Sequence, residues 1–285
     1  MNMRPHVQQL HTLMRREFWE HKIAIFWVPA ASAIMSAIII VWLITATNST
    51  AGIVDQLNQL SAMSAAEAGE QLISAYGLIA FSIISPLLIT VPIYLLVCLY
   101  DDRKNNSSLF WYSMPVSNTK TVSSKLLTAL VLMPLMAFLI LATLFGFLLL
   151  LLAVMAATGS IDVQIIWTVF STLLQWLPWL LFSMLVVGLW LLPLYGWLLF
   201  VSAFARAVPF FWAIGVVLVL VLIESVLFSS SYLSTWIGSR NIPFERLSAS
   251  GFDLIVAFLD YEMLHGLVIG GFFIFGAVNM RRFAD

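Results

Sequence analysis

LLTALVLMPLMAFLILATLFGFLLLLLAVMAAT, residues 126–158, is a run of 33 residues without one charged side chain. A helical bilayer crossing takes about 20 apolar residues, so this run exceeds one crossing and is expected to tilt or bend near Pro134 or Gly146. The rest of the chain has the same character: 62% of its 285 residues are hydrophobic and only 9% charged, against roughly a quarter charged in an ordinary soluble domain. Such a chain cannot cover its own surface with polar groups. Its apolar runs are continuous, whereas a membrane barrel alternates over strands of about ten residues. The fold class expected is an all-α integral membrane protein, a single transmembrane domain over 1–285 with six transmembrane helices.

Outward from this run, the other spans are expected at 23–45, 75–100, 170–204, 210–228 and 263–280, with the opening run as the span 126–157. Residues 5–22 place Val7, Leu10, Met14 and Phe18 at helical spacing, with Arg15, Arg16, Glu17 and Lys22 on the charged flank. This pattern reads as a helix lying on the membrane surface, retained rather than cleaved as a signal peptide. Residues 46–74 carry acids and no Lys or Arg, which places them outside. Pro86 and Pro92 can kink the second span.

The tract 165–204 is interrupted by Gln175, Pro178, Gly188, Pro193 and Gly196, and it reads as one long kinked span or as two joined by a tight turn. One span puts eleven Lys and Arg inside against two outside, and two spans give ten against three. The doublet Arg281-Arg282 abuts the last span directly, which favours one span and puts both termini in the cytoplasm. The outer segment 229–262 then contains an apolar stretch at 252–259 that is too short to cross. In the last span Gly266 and Gly270 stand four apart, a spacing that lets helices approach closely.

Residues 101–125 form the most informative loop. Asn106 or Ser107 can cap a short helix that Pro115 stops, and Ser117 or Asn118 can cap the next. The short helix displays Leu109, Phe110, Trp111, Tyr112 and Met114 between Arg103, Lys104 and Lys120. A water-side aromatic patch of this kind marks a docking surface; the same aromatics would also suit the headgroup belt.

A surface helix ending in REFWEHK, a first span, and then a loop running from Asp101-Asp102-Arg103 through Leu109 to Pro115-Val116-Ser117 resemble type-2 ABC transporter permeases. Where members of that family often carry Gly-Thr and Glu at the start of this helix, this chain has Asn105, Asn106, Ser107 and Ser108. The resemblance implies an elbow helix containing Arg15, Arg16, Glu17, Phe18 and Lys22. It also implies an ATPase-coupling region of Asp102, Arg103, Ser108, Leu109, Met114, Pro115 and Val116, to which the patch reading adds Phe110 and Trp111. The chain would be the permease of an exporter in a bacterial inner membrane, moving an apolar or amphipathic substrate such as a lipid, peptide or drug. Its partners would be a separate ABC ATPase subunit in two copies and a second permease copy or paralogue.

No glycine starts G-x-x-x-x-G-K-[ST], so ATP and Mg2+ would sit on the partner, and this chain itself is expected to be no enzyme and to bind no cofactor or metal. The near-zero net charge offers no basic field for nucleic acid. Glu224 is the one acid well inside an expected span, and it reads either as a gate or substrate contact or as a helix-end carboxylate reaching headgroup water. Gln175 is expected in an interhelical hydrogen bond. Cys98 reads as packing. Two other classes fit the same sequence: an ATP-independent channel or secondary transporter, which usually places several ionisable groups at midplane, and a membrane scaffold for a cytoplasmic complex.

Overall fold

The computed structural model describes residues 5–46, 50–104, 117–240 and 261–283, and every element among them is helical. In chain order these are α1 (Pro5–Glu20), a π-helical turn (Ile23–Trp27), α2 (Val28–Ala46), α3 (Thr50–Ala62), α4 (Ala65–Ile84), α5 (Leu87–Lys104) and α6 (Asn118–Leu127). A second π-helical turn (Thr128–Leu132) leads to α7 (Met133–Ala157), α8 (Val163–Trp190), α9 (Leu192–Phe204), α10 (Pro209–Phe228), α11 (Tyr232–Ser239) and α12 (Tyr261–Phe283). Among the described residues, six segments are long and apolar enough to cross a bilayer: Ile23–Thr45, Glu67–Lys104, Asn118–Ala157, Val163–Trp190, Pro209–Phe228 and Tyr261–Arg281. The chain is a multi-pass membrane protein.

Local chemistry sets the helix ends. Ser64 and Glu67 form a reciprocal capping box that starts α4. Ser117, rather than Asn118, caps α6 by accepting the N–H of Lys120. Gly159, at φ +73°, ends α7 while Ser160 N–H reaches back to the Met155 carbonyl, and Asp162 then accepts the N–H of Gln164 to open α8. Pro86 has no N–H to give, and helix α4 stops before it. The tract expected as one span at 170–204 is two helices, α8 and α9, broken at Leu191. Pro193 is the cause: its nitrogen cannot donate and its ring crowds the carbonyl four residues back. At 13 residues α9 is too short to cross alone.

The chain divides into two compact units, one of Met1–His21, Thr90–Leu132 and Ser183–Asp285, the other of Lys22–Ile89 and Met133–Phe182. Each of the four passages between them falls in or beside a helix irregularity: the two π-helical turns, the Pro86 and Pro92 region, and the residues after Pro178. In the second unit, Tyr76, Phe145 and Trp176 meet as a ring cluster with centroids 5.3 to 6.2 Å apart. The Ser36 and Ser82 hydroxyls share a 2.9 Å hydrogen bond between α2 and α4. These helices leave an apolar cavity of about 190 Å³.

In the first unit, α9 and α12 cross closely because each places a glycine, Gly196 and Gly270, where the two backbones approach. A Cβ on Gly196 would lie 2.7 Å from the Gly270 carbonyl oxygen, and one on Gly270 would lie 2.8 Å from Leu192 Cγ. Between apolar helices in lipid, association rests on van der Waals contact, which close approach maximises. Gly270 therefore serves packing within the chain. Gly266 serves another purpose, since the Arg240 guanidinium occupies the space its Cβ would take.

Candidate functional site: a buried ion network

Three side chains that would each be costly to bury alone are buried together in the first unit. Glu17 of α1, Asp102 of α5 and Lys125 of α6 expose 2%, 7% and 0% of their surface. Helix periodicity brings them into line. Tyr94, Cys98 and Asp102 recur every four residues along one face of α5, Thr121 and Lys125 do the same on α6, and Leu13 and Glu17 on α1. The inward face of α1 is thus centred on Leu13 and Glu17, and Glu17 leaves the charged flank that the sequence pattern assigns it.

The contacts are charge-assisted. Lys125 Nζ donates to Glu17 Oε1 at 3.0 Å and Oε2 at 3.3 Å, and it lies 3.2 Å from Asp102 Oδ2. Arg16 Nη2 reaches Asp102 Oδ1 at 3.4 Å while its Nε donates to Glu20 at 2.6 Å. Tyr94 donates its hydroxyl to Glu17 Oε2 at 2.8 Å, and the His21 ring stands edge-on to Tyr94 with centroids 4.9 Å apart. The two buried acids, Glu17 and Asp102, face Lys125 and Arg16, and each has more than one partner, the condition under which buried ions are tolerated. A second tie, Lys120 Nζ to Gln9 Oε1 at 2.5 Å, fixes α1 on α6 further along.

Titration follows from this arrangement. Burial works against the charge of Arg16, but Glu20, Asp102 and Glu17 outweigh it and raise the guanidinium pKa. For His21 burial wins: with Lys125 adding repulsion, it holds the imidazole below its ordinary value despite Glu17, whose carboxylate is 3.9 Å away. Glu17, Glu20 and His21 each bring one potential metal ligand within 4.8 Å of the others. Two of these groups already pair with cations of the chain, Glu17 with Lys125 and Glu20 with Arg16.

Arg103, next to Asp102, turns to a different partner. Its Nη2 donates to the carbonyls of Ser202 at 2.6 Å and Ala205 at 2.9 Å, closing off the C-terminus of α9. Ser202 Oγ in turn accepts the N–H groups of Leu99 and Tyr100, both at 3.1 Å. Asp102 and Arg103 are therefore anchors at the end of α5. The other residues expected in a coupling region, Ser108, Leu109, Phe110, Trp111, Met114, Pro115 and Val116, lie outside the described residues. Of the residues expected in an elbow helix, Arg16 and Glu17 enter the network, whereas Arg15 and Lys22 are exposed and Phe18 is half-buried.

Glu224 has both carboxylate oxygens engaged by the start of α11: Ser230 Oγ donates to Oε1, and the Leu233 N–H lies 3.1 and 2.9 Å from the two oxygens. Arg240, at the other end of α11, stands 4.9 Å from the Trp190 ring and 5.1 Å from that of Trp236, and donates to the Glu262 carbonyl at 2.5 Å. His265 stacks on Tyr261 with centroids 5.5 Å apart. Gln175, expected to bond between helices, is exposed on α8.

Lys125 and Tyr94 are the members that sequence reading missed. The signal was present: Glu17, Asp102 and Lys125 all stand within about two helical turns of an expected span end on the same side of the membrane. Charges so placed need partners, and they can supply one another. No protein-family model matches the chain, and neither a curated protein nor a solved structure does.

Proposed function

We propose that this chain is the membrane-spanning subunit of an ATP-driven exporter of the type-2 ABC kind, working with a separate ATPase. The observation that carries the reading is the buried ion network joining α1 to the ends of α5 and α6. Residues 105–116, the expected ATPase contact, connect the end of α5 to the start of α6 in the sequence, and Lys125 stands in the last turn of α6. Asp102 lies three residues before that segment, and Ser117, the cap of α6, directly follows it.

A push on the segment reaches α5 and α6 together. Separating Lys125 from Glu17 or Asp102 would strand a buried charge, a cost of several kcal/mol, so the helices yield as one body and take α1 with them. Arg103 extends the same body to α9 through its bonds to Ser202 and Ala205. The cargo consistent with spans that carry few ionisable groups is apolar or amphipathic, and a second copy or paralogue would complete the pathway in a bacterial inner membrane.

The test is purification of the tagged protein from its native membrane in mild detergent, with mass spectrometry of what accompanies it. A stoichiometric nucleotide-binding subunit, lost on replacing Leu109 and Trp111 by Ala while membrane insertion persists, is the expected result. Reproducible purification of the protein alone would overturn the exporter reading.

A further inference from the structure

We propose that the second unit holds one hydrocarbon chain of a bilayer phospholipid in the cavity between α2, α4, α7 and α8. This proposal is independent of the exporter reading, because it concerns a site within one unit and needs no ATPase.

The cavity, about 190 Å³, is open on one side and lined almost wholly by apolar side chains. Its walls include Ile44, Leu72, Phe145, Leu148 and Leu173. Tyr76 also lines it, but the hydroxyl is directed to the Val169 carbonyl at 3.4 Å. Water needs two to four polar partners and does not find them here. An occupant must therefore lack polar atoms along its buried length.

Shape narrows the class further. Leu149 is a wall of this cavity and also of a second, open hollow of about 380 Å³ lined by Val163, Ile166, Trp167 and Phe170. Those four residues recur at i, i+3, i+4 and i+7, so they form one face of α8, whereas Val169 and Leu173 turn into the core. Cavity and hollow share Leu149 as a wall, so a flexible chain that bends past this side chain can reach both, which a compact ring system cannot. The hollow reaches the first residue of α8, beside the polar turn of Thr158, Ser160 and Asp162. A polar headgroup has partners there while its chain passes Leu149. A phospholipid is the occupant committed to, since the six apolar segments place this unit in a medium of such chains.

The experiment uses the full chain in nanodiscs containing a phospholipid with a photoactivatable diazirine near the end of one acyl chain, and maps the adducts by mass spectrometry. Adducts are expected to concentrate on Leu72, Tyr76, Phe145 and Leu148 above the level on Leu222 and Val226, which α10 exposes. Val169→Trp, which fills the cavity, should abolish the first set and leave the second unchanged. A probe with the diazirine near the headgroup, used on the unmutated protein, should move the label to Val163–Trp167, so the proposal stays testable even where the Trp variant fails to fold. Labelling of the cavity residues no higher than on α10, or labelling that survives in a folded Val169→Trp protein, would overturn it. Labelling by a diazirine fatty acid and not by the phospholipid would overturn the choice of a phospholipid.

Discussion

Replacing Lys125 by Met removes the one cation that both buried carboxylates share. Nζ stands 3.0 and 3.3 Å from the Glu17 oxygens and 3.2 Å from Asp102, in a side chain with no exposed surface. Met fills much the same volume, so the packing loss is small and the electrostatic loss dominates. Breaking a buried pair by removing one partner costs about 3–5 kcal/mol. At about 2 °C per kcal/mol for a chain of this length, the expected fall in melting temperature is roughly 6–10 °C. The assay is size-exclusion elution of the fluorescently tagged protein after stepwise heating in detergent. Adding Glu17→Gln and Asp102→Asn to the Met variant should recover most of the loss, because the stranded charges are then gone. A single Met variant melting within about 1 °C of the parent would refute the reasoning, since it would mean that water reaches the carboxylates and the network carries little energy.

His21 should make stability depend on pH. Its folded pKa is below the unfolded value near 6.5, so the unfolded state binds more protons in that window; stability is full above it and falls as pH drops below about 6.5. His21→Gln should flatten that part of a melting-temperature profile, with the surrounding Glu17, Glu20, Asp101, Tyr94 and Lys125 unchanged. At the α9 and α12 crossing, Gly270→Ala sets a Cβ 2.8 Å from Leu192 Cγ and 2.9 Å from the Leu192 carbonyl group. Overpacking of that kind costs about 1–3 kcal/mol, more than the roughly 0.5–1 kcal/mol that Ala gains over Gly in a helix. Gly271→Ala, which meets open space, should be neutral or slightly stabilising in the same thermal assay.

How far the sequence could be read depended on whether the deciding force is local. The spans were legible because a bilayer imposes a length and a composition on each, and the runs at 23–45 and 126–158 meet both without reference to any neighbour. Caps were legible for the same reason: Ser117 needs only the N–H of Lys120 three residues on. The break at Leu191 was half-legible, because Pro193 announces a lost hydrogen bond but not whether the helix bends or restarts. The ion network was hidden by a rule that is normally useful. Counting Lys and Arg by side treats Lys125 as one positive charge facing water, when it is fully buried against two acids, 108 and 23 residues away in the chain. Glu17 was misread likewise, because amphipathic periodicity assigns charges to the wet face unless a partner is known. Both errors have one correction. Where acids and bases cluster at several span ends on one side of a membrane, their mutual neutralisation should be considered before their exposure, since each unpaired buried charge would cost more than the helix contact it accompanies can return.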